Sequence, residues 1–343
     1  MLNLVLPQMG IGTRNARASN WWENGDFSGN LFSGADDYIL DFANNSYVKG
    51  GVEIANPIIS THSSDILALN SSGSYEAFAA NVSPITDLGL LVVPTRTNIF
   101  LNSDVPASQT VAVSDGTQYT ISVVGSGSIA LSGAGLGTAT EGSDLTITTS
   151  GTSLICTISG SLTYVQVEQG SFATLPIITT GSAVTRAGNQ EVISGLNLPI
   201  GVEFYMVVDL LDASTLWRKL IFFTSNGGAN SIVAGFGNLN NYEVASRSAG
   251  TVTFIEMFGN RGENIKELVG SFGTDYGQAY IDGLSPTPDT AVTYPPLNKL
   301  FLGTNHTGGE ANYIYVKEIG WRTGFTPDTT SHAEMVTLAN ARA

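Results

Sequence analysis

The chain has 343 residues, of which 42% are hydrophobic and only 13% are charged, and this length allows two or three domains with real cores. Its formal net charge of −15 repels phosphate backbones, and no basic cluster offsets this charge, so nucleic acid is not an expected partner. No apolar run approaches the roughly 18 residues of a membrane helix, so membrane insertion is not expected either.

Residue usage predicts an all-β fold. The chain contains 39 glycines and many Ser, Thr, Val and Ile residues, whereas charged helix-forming residues are scarce. The single cysteine, Cys156, cannot form an intrachain disulfide, so stability must come from packing or from oligomerisation. Weakly charged surfaces are common where sister chains bury them, and exposed strand edges need covering. Both considerations favour a homotrimer.

Residues 1–36 are predicted to form an extended N-terminal arm. Two arginines give this arm a local positive charge, and aromatic rings stand among Asn, Gly and Ser residues. Because Arg and aromatic side chains are favoured at interface centres, the arm is predicted to anchor the chain to a larger particle. The alternative is a loop that folds back over a neighbouring core. The candidate anchoring residues are Arg14, Arg17, Trp21, Trp22 and Phe27.

The next two segments carry β-strand patterns of short period. Residues 37–98 are predicted to hold short strands and a connecting motif, Gly-Leu-Leu-Val-Val-Pro-Thr-Arg-Thr-Asn, at 89–98. Residues 99–187 are predicted to form a small antiparallel β-sandwich. Its alternating segments recur at eight-to-twelve-residue spacing between glycines such as Gly125 and Gly160.

Residues 190–343 are predicted to form a second sandwich with larger side chains. An Ala-Tyr-Ile-Asp-Gly strand at 279–283 is followed by a loop and by Leu-Phe-Leu-Gly at 300–303, an order that resembles a concanavalin-like or laminin-G-like jelly roll. A short C-terminal helix follows, capped by Thr330 or Ser331 with Glu334 completing a capping box. The predicted fold class is therefore all-β, with two antiparallel β-sandwich (jelly-roll) modules in tandem between the arm and this helix.

Residues with the spacing that catalysis needs are scarce. The chain has three histidines, and none accompanies a nucleophile elbow between a strand and a helix. Glycanases need two carboxyl groups at a fixed separation, and pairs such as Glu203 with Asp209, or Glu263 with Glu267, lack the spacing of jelly-roll glycanases. We therefore expect no catalytic residues, and the protein is predicted not to be an enzyme.

No cofactor or metal is predicted. One cysteine and three scattered histidines offer no paired zinc ligands. Calcium stays open as an alternative, because loop oxygens are numerous, but no cluster has a diagnostic spacing. The loop residues concerned are Asp212, Asn226, Asn230, Asp275 and Asp289.

Sugar binding is the stronger chemical hypothesis. Sugar C–H faces stack on aromatic rings, and sugar hydroxyls pair with amide side chains, so aromatic residues near Asn in the loops of the second sandwich form a candidate glycan site. The alternative is that these rings belong to the core or to a subunit interface. The candidate glycan-binding residues are Trp217, Asn238, Asn240, Tyr242, Asn305, His306 and Asn312.

The motif at 89–98 and the segment Val-Glu-Gln-Gly-Ser-Phe-Ala-Thr-Leu-Pro-Ile-Ile-Thr at 167–179 resemble fibre and spike proteins of tailed bacteriophages. In that family the two segments bracket a carbohydrate-module-like sandwich, with Glu where this chain has Val93 and with Ser or Tyr where it has Leu175. A guanidinium carries five donors that can tie strand-end carbonyls together. Arg96, Asn98 and Arg186 are therefore predicted to organise the module joint.

The resemblance implies a virion surface protein made in the bacterial cytoplasm, as a fibre or spike on the phage tail or head. Its expected partners are other virion proteins, further copies of itself and a cell-surface glycan. Two alternatives come from other functional classes: a capsid-decorating cement protein, and a polysaccharide depolymerase. Absence of glycan binding by the assembled protein would favour the cement protein over the fibre or spike. Release of reducing ends from host polysaccharide would indicate the depolymerase.

Overall fold

The computed structural model describes residues 31–211, 218–225, 227–236, 241–258, 266–308 and 312–343. Its strands are β1 (Tyr38–Asp41), β2 (Ser46–Lys49), β3 (Val52–Glu53), β4 (Ile59–Thr61), β5 (Ile66–Leu69), β6 (Tyr75–Phe78), β7 (Ile85–Thr86), β8 (Gly89–Val92), β9 (Arg96–Asn98), β10 (Gln109–Ala112), β11 (Gln118–Gly133), β12 (Gly137–Thr140), β13 (Leu145–Thr148), β14 (Ser153–Gln169), β15 (Val184–Arg186), β16 (Gln190–Leu198), β17 (Gly201–Leu210), β18 (Lys219–Thr224), β19 (Ser231–Phe236), β20 (Tyr242–Ser248), β21 (Thr251–Phe258), β22 (Glu267–Gly273), β23 (Tyr276–Ile281), β24 (Leu297–Leu302) and β25 (Ile314–Thr323). The helix is α1 (Thr329–Arg342).

The chain divides into two compact units. The small unit comprises residues 62–80 and 94–188, and the large unit comprises the described parts of 12–61, 81–93 and 189–343. All strand pairs in both units are antiparallel among the described residues, and α1 is the helix at the C-terminal end. The predicted all-β fold with a short C-terminal helix is confirmed. Within the parts of the chain that the structure describes, no helix has the length and hydropathy required to span a bilayer.

Two long strands build the small unit. β11 and β14 pair along almost their whole length, β12 and β13 pair with β11, and β9 and β10 pair with β14. Side chains from both halves of these strands enter one core, for example Ile121 and Val167 from one half and Ile129 and Leu154 from the other. The sheet therefore folds over on itself as a sandwich around that core.

Each long strand was predicted as two strands separated by a glycine, and this prediction is wrong. Gly125 and Gly160 lie inside β11 and β14, both with positive φ, and the register shifts at Gly125. A Cβ on Gly125 would stand 2.5 Å from Ser161 O, so the backbones approach closely where the strands bend. A bulge of this kind bends the strand but lets the ladder continue on both sides.

The large unit is a sandwich of two sheets. The nine-stranded sheet has the order β23-β22-β17-β25-β1-β2-β3, with β8 on β25 and β7 on β8. The seven-stranded sheet has the order β21-β20-β19-β18-β24-β16-β4. Phe204 and Trp321 from the first sheet and Ile221 and Leu300 from the second are fully buried in their shared core.

The strands of residues 37–93 do not all form a section of their own. β1 and β8 both pair with β25, and β4 pairs with β16, so these early strands complete the sheets of the large unit. β5 and β6 form a two-stranded sheet that belongs to the small unit. The two units therefore do not follow the predicted segments 37–98, 99–187 and 190–343. Local sequence patterns predict where strands lie, but they do not show which distant strands pair with each other.

Helix α1 packs on the outer face of the nine-stranded sheet. Met335, Leu338 and Ala339 contact Tyr205 and Val207 there. The helix covers one face of β17 and the core of the sandwich covers the other, so every residue from Gly201 to Val208 is buried.

The helix cap differs from the predicted one. The residue that caps α1 is Asp328, whose carboxylate accepts from the N–H groups of Thr330 and Ser331. The Ser331 hydroxyl accepts from the Asp328 N–H and closes the capping box in place of Glu334. A carboxylate satisfies the free donors of a first helical turn as well as a hydroxyl does, and it also favours the positive end of the helix dipole.

Candidate functional site

The turn after β24 carries two of the predicted glycan-binding residues. Asn305 Oδ1 accepts from the N–H of Thr307, at 3.0 Å, and from its hydroxyl, at 2.7 Å. Gly308 N donates to Asn305 O, which closes the turn, and Gln190 Nε2 donates to the same carbonyl at 3.0 Å. This network gives the turn a defined conformation and lifts His306 to its tip.

The imidazole of His306 is exposed and stacks on an aromatic side chain of the seven-stranded sheet. Its ring lies nearly parallel to that of Phe222, with centroids 5.7 Å apart and 19° between the planes. Phe222 itself is 3% exposed and meets Phe301, its cross-strand partner, edge to face. The two phenylalanines therefore form a buried apolar base under an exposed ring.

A glycine makes room for this ring. Gly227 adopts φ +53°, and a Cβ there would stand 3.0 Å from His306 Nε2. The absence of a side chain at Gly227 thus lets the imidazole lie flat beside the backbone. His306 is also the exposed member of the three histidines, because His62 is 4% exposed and His332 is 3% exposed.

An exposed ring with a supported face beside amide groups has the chemistry for sugar recognition. The ring offers a flat surface for C–H faces, and the amides of Asn305 and Gln190 and the hydroxyl of Thr307 lie within the same turn network. We call the set His306, Phe222, Gly227, Asn305 and Gln190 the His306 platform. Phe222, Gly227 and Gln190 were missed from the sequence, because nothing local in it shows that β16 and β18 lie beside this turn.

The other predicted glycan residues are not brought to the His306 platform as exposed groups. Tyr242 is 1% exposed and belongs to the core of the large unit. Asn312 is fully buried, and its Nδ2 donates to the carbonyl of Lys219. A sugar stacks only on an open ring face, and the ring of Tyr242 is covered. The amide of Asn312 is likewise buried and offers no surface to a sugar in this structure. Trp217, Asn238 and Asn240 lie outside the described residues.

The predicted anchoring residues also lie outside the described part of the chain. This holds for Arg14, Arg17, Trp21, Trp22 and Phe27. Anchoring by the arm stays a prediction.

The three predicted joint residues all lie in the small unit. Arg186 is 3% exposed and donates to the carbonyls of Leu175 and Pro94, at 3.0 and 3.2 Å. Asn98 is fully buried: its Nδ2 donates to Ile177 O, and its Oδ1 accepts from the N–H groups of Phe100 and Val167. Their part in joining the modules stays a prediction.

Arg96 behaves differently from Arg186. Its guanidinium lies over the ring of Phe172, 4.6 Å from the centroid, and its Nη1 donates to Thr95 O at 3.3 Å. Arg186 thus binds two loop carbonyls, whereas Arg96 makes one hydrogen bond to a backbone carbonyl and a cation–π contact.

The carboxylates considered for catalysis have partners that fix them in place. Glu203 is 0% exposed and accepts from Arg322 Nε at 2.8 Å and from the Ser331 hydroxyl at 2.5 Å. Desolvation raises the pKa of Glu203, and the charge of Arg322 opposes this rise. Asp209 forms an ion pair with Lys317. Glu263 lies outside the described residues, and its predicted companion Glu267 accepts a hydrogen bond from the Tyr280 hydroxyl at 2.8 Å.

Two further features concern ligands. Among the residues that the structure describes, no three His, Cys, Asp or Glu side chains are grouped so as to hold a metal ion. Of the loop oxygens considered for calcium, Asp289 accepts from the N–H of Ala291 in its own turn, and Asn230 accepts from the N–H of Ala249.

No protein-family model matches the chain, and no curated protein matches it. Several solved structures match weakly. The binding domain of botulinum neurotoxin serotype D is 10% identical over 44% of this chain and 40% of its own, with a TM-score of 0.31. A Bacillus licheniformis β-glucanase is 13% identical over 41% and 73%, with a TM-score of 0.27. The tail fibre protein gp63.1 of an E. coli phage is 9% identical over 85% and 40%, with a TM-score of 0.24.

The chain spans about two fifths of the length of the toxin and fibre chains that it matches. The three proteins are a binding domain, an enzyme and a fibre, and all TM-scores lie below 0.5. These likenesses therefore do not select a function.

Proposed function

We propose that the protein is a non-enzymatic adhesin of a virion surface, a fibre or spike of a tailed bacteriophage, and that its large unit binds glycan at the His306 platform. The observation that carries the glycan proposal is the exposed imidazole stacked on Phe222. An exposed side chain usually samples several orientations. The ring of His306 instead stacks on Phe222, beside Gly227 and in a hydrogen-bonded turn, so that its outer face is presented to solvent.

The motifs at 89–98 and 167–179 resemble those of phage fibre and spike proteins, and this resemblance supports a place on a virion surface. The acidic, sparsely charged composition fits a particle component that avoids nucleic acid and assembles with other chains.

The non-enzymatic part draws on the carboxylates. A glycoside hydrolase needs two carboxyl groups about 5 Å apart, or further for inversion, facing a bound sugar. Glu203 is buried beneath Arg322, and Asp209 is engaged by Lys317, so both carboxylates are occupied by cations of the fold. Both ion pairs join β17 to β25, so a structural role accounts for these two carboxylates.

The test uses the full chain and a panel of immobilised bacterial surface polysaccharides, including capsule and lipopolysaccharide. Two quantities are measured together: the protein retained and the reducing ends released into the supernatant. We expect retention on at least one polysaccharide without release of reducing ends. Release of reducing ends would replace the adhesin by a depolymerase, and absence of retention across the panel would favour the capsid-decorating alternative.

A further inference from the structure

The arginines of the small unit stand opposite each other. Residues 62–80 and 94–188 contain no lysine, and their arginines are Arg96 and Arg186. The two are direct partners in the antiparallel pair of β9 and β15. Because opposite residues of a ladder project from the same face, two cations lie side by side in a unit that is otherwise acidic. The acidic residues of the same segments are Asp65, Glu76, Asp104, Asp115, Glu141, Asp144 and Glu168.

Like charges directly across a ladder repel each other, and the carboxylate of Glu168 offsets one of them. Burial raises the pKa of the Glu168 carboxyl, whereas hydrogen bonds from Thr174 and then the charge of Arg186 oppose this rise. Among the residues that the structure describes, no ion pair involves Arg96. The arginine pair therefore carries one positive charge more than its carboxylate partner balances.

The guanidinium of Arg96 keeps most of its donors unused. Nη1 donates to Thr95 O at 3.3 Å, and Nε is buried without an acceptor in the described part of the chain. A guanidinium has five N–H donors, so this single hydrogen bond leaves others for a ligand. Arg96 is part exposed, whereas Arg186 is buried, so a ligand in solution can reach Arg96.

The surroundings of Arg96 are fixed by the sheet. The ring of Phe172 lies 4.6 Å from the guanidinium carbon. In the loop that carries this ring, Gly170 N donates to Gln118 O at 3.0 Å, and the Thr120 hydroxyl donates to Gly170 O at 2.9 Å. A Cβ on Gly170 would stand 3.2 Å from Arg96 Nη2, so a larger residue would crowd that end of the guanidinium. The ring and the glycine thus position the cation before a ligand binds.

We propose that Arg96 is an anion-binding site of the small unit, and that its ligand is the carboxylate or phosphate group of an acidic sugar. Such an oxyanion supplies the negative charge that the arginine pair lacks, and it accepts from the donors that Arg96 leaves unused. The formal charge of −15 repels anions from the chain as a whole, so binding needs a local surplus of positive charge. The sugar as carrier of the oxyanion rests on the proposed adhesin function, whereas the anion site rests on the arginine pair.

NMR of the full chain tests the site with glucuronate, glucose 6-phosphate and glucose. The Nε–H signal of Arg96, identified by its absence from Arg96→Met, is followed in each titration. We expect it to shift and to saturate at millimolar concentrations of one or both acidic sugars, and not to shift with glucose. The larger response identifies the preferred anionic group. No shift with either acidic sugar, or an equal shift with glucose, would overturn the proposal.

Matched variants separate the site from general electrostatic attraction. Arg96→Met and Arg247→Met remove the same charge, and Arg247 is part exposed at the end of β20 in the large unit. Binding is followed at the backbone N–H of Gly170 in both variants. It should weaken by about tenfold or more in Arg96→Met and stay unchanged in Arg247→Met. Equal losses in the two variants would contradict a site at Arg96.

Two further variants complete the test. His306→Ala should bind the acidic sugar as the wild type does, so failure of the His306 platform and failure of this site are distinguishable. Arg96→Lys guards against misfolding of Arg96→Met, because it keeps the charge but replaces the planar fork by a point charge. It should bind more tightly than Arg96→Met. Equal affinities for these two variants, both with the amide spectrum of the folded chain, would refute a site based on charge.

Discussion

The imidazole of His332 lies in the interior of the large unit with its Nδ1 2.8 Å from Ser271 Oγ. Its other nitrogen is 3.4 Å from the Ser285 hydroxyl, and burial lowers the pKa of His332 from 6.5 to about 4. Helix α1 carries this histidine against β22, so the helix docks through a neutral ring.

Acidification should therefore loosen the fold through His332. The unfolded chain takes up a proton near pH 6.5, whereas the folded chain resists it until about pH 4, so stability falls as pH decreases across that window. The loss amounts to roughly 3 kcal/mol, at about 1.4 kcal/mol for each pH unit between the two pKa values. Denaturant unfolding at pH 7 and pH 4 measures it.

The variant His332→Gln isolates this contribution, because it keeps hydrogen-bonding capacity without a titrating ring. The difference between its two unfolding free energies should be smaller than that of the wild type by that amount. His306→Gln, on the exposed turn, is the control. An identical pH dependence for His332→Gln and the wild type would contradict the interpretation.

Removing the buried guanidinium of the small unit should be costly. Arg186 serves the carbonyls of Leu175 and Pro94, and its charge opposes the desolvation that raises the pKa of the fully buried Glu168. Arg186→Met removes the donor to both carbonyls and the positive charge near Glu168, and should lower the free energy of unfolding by about 3–5 kcal/mol.

Arg96→Met is the matched comparison for Arg186→Met. Arg96 makes one hydrogen bond and a cation–π contact with Phe172, so its loss should cost about 1 kcal/mol. Urea unfolding of both variants decides the ranking. Equal losses would mean that the carbonyl network does not set the stability of this unit.

A methyl group at the bend of β11 should be poorly tolerated. Gly125 has φ +114°, and a Cβ there would stand 2.5 Å from Ser161 O. We expect Gly125→Ala to lower the free energy of unfolding by about 3 kcal/mol or more. Gly181→Ala, where a Cβ meets nothing within 4 Å, should change it by less than about 1 kcal/mol. A loss for Gly125→Ala as small as that for Gly181→Ala would argue against strain at the bend.

Local patterns carried much of the fold. The segments at 279–283 and 300–303 were predicted as strands, and β23 and β24 end within them; a polar cap followed by a helical run predicted α1. These features depend on neighbours within a few residues, which a single sequence displays.

What depends on distant residues was not visible. Gly125 and Gly160 look like turn glycines until β11 and β14 are seen to pair across them. Tyr242 resembles a loop aromatic beside Asn-rich sequence, but its cross-strand neighbours place it in the core. At the candidate site, Asn305 and His306 were predicted as residues of an Asn-containing loop of the second sandwich, whereas the support from Phe222 comes from the neighbouring strand β18.

Glycan binding by the His306 platform is the central claim, and calorimetry tests it most directly. The wild type, His306→Ala and Asn298→Ala are titrated with a fragment of the polysaccharide on which the wild type is retained. Asn298 is the control, because it is exposed on β24 away from the turn. We predict an affinity about tenfold weaker for His306→Ala, which corresponds to about 1.4 kcal/mol, and an unchanged affinity for Asn298→Ala. Equal affinities for His306→Ala and the wild type would contradict the claim.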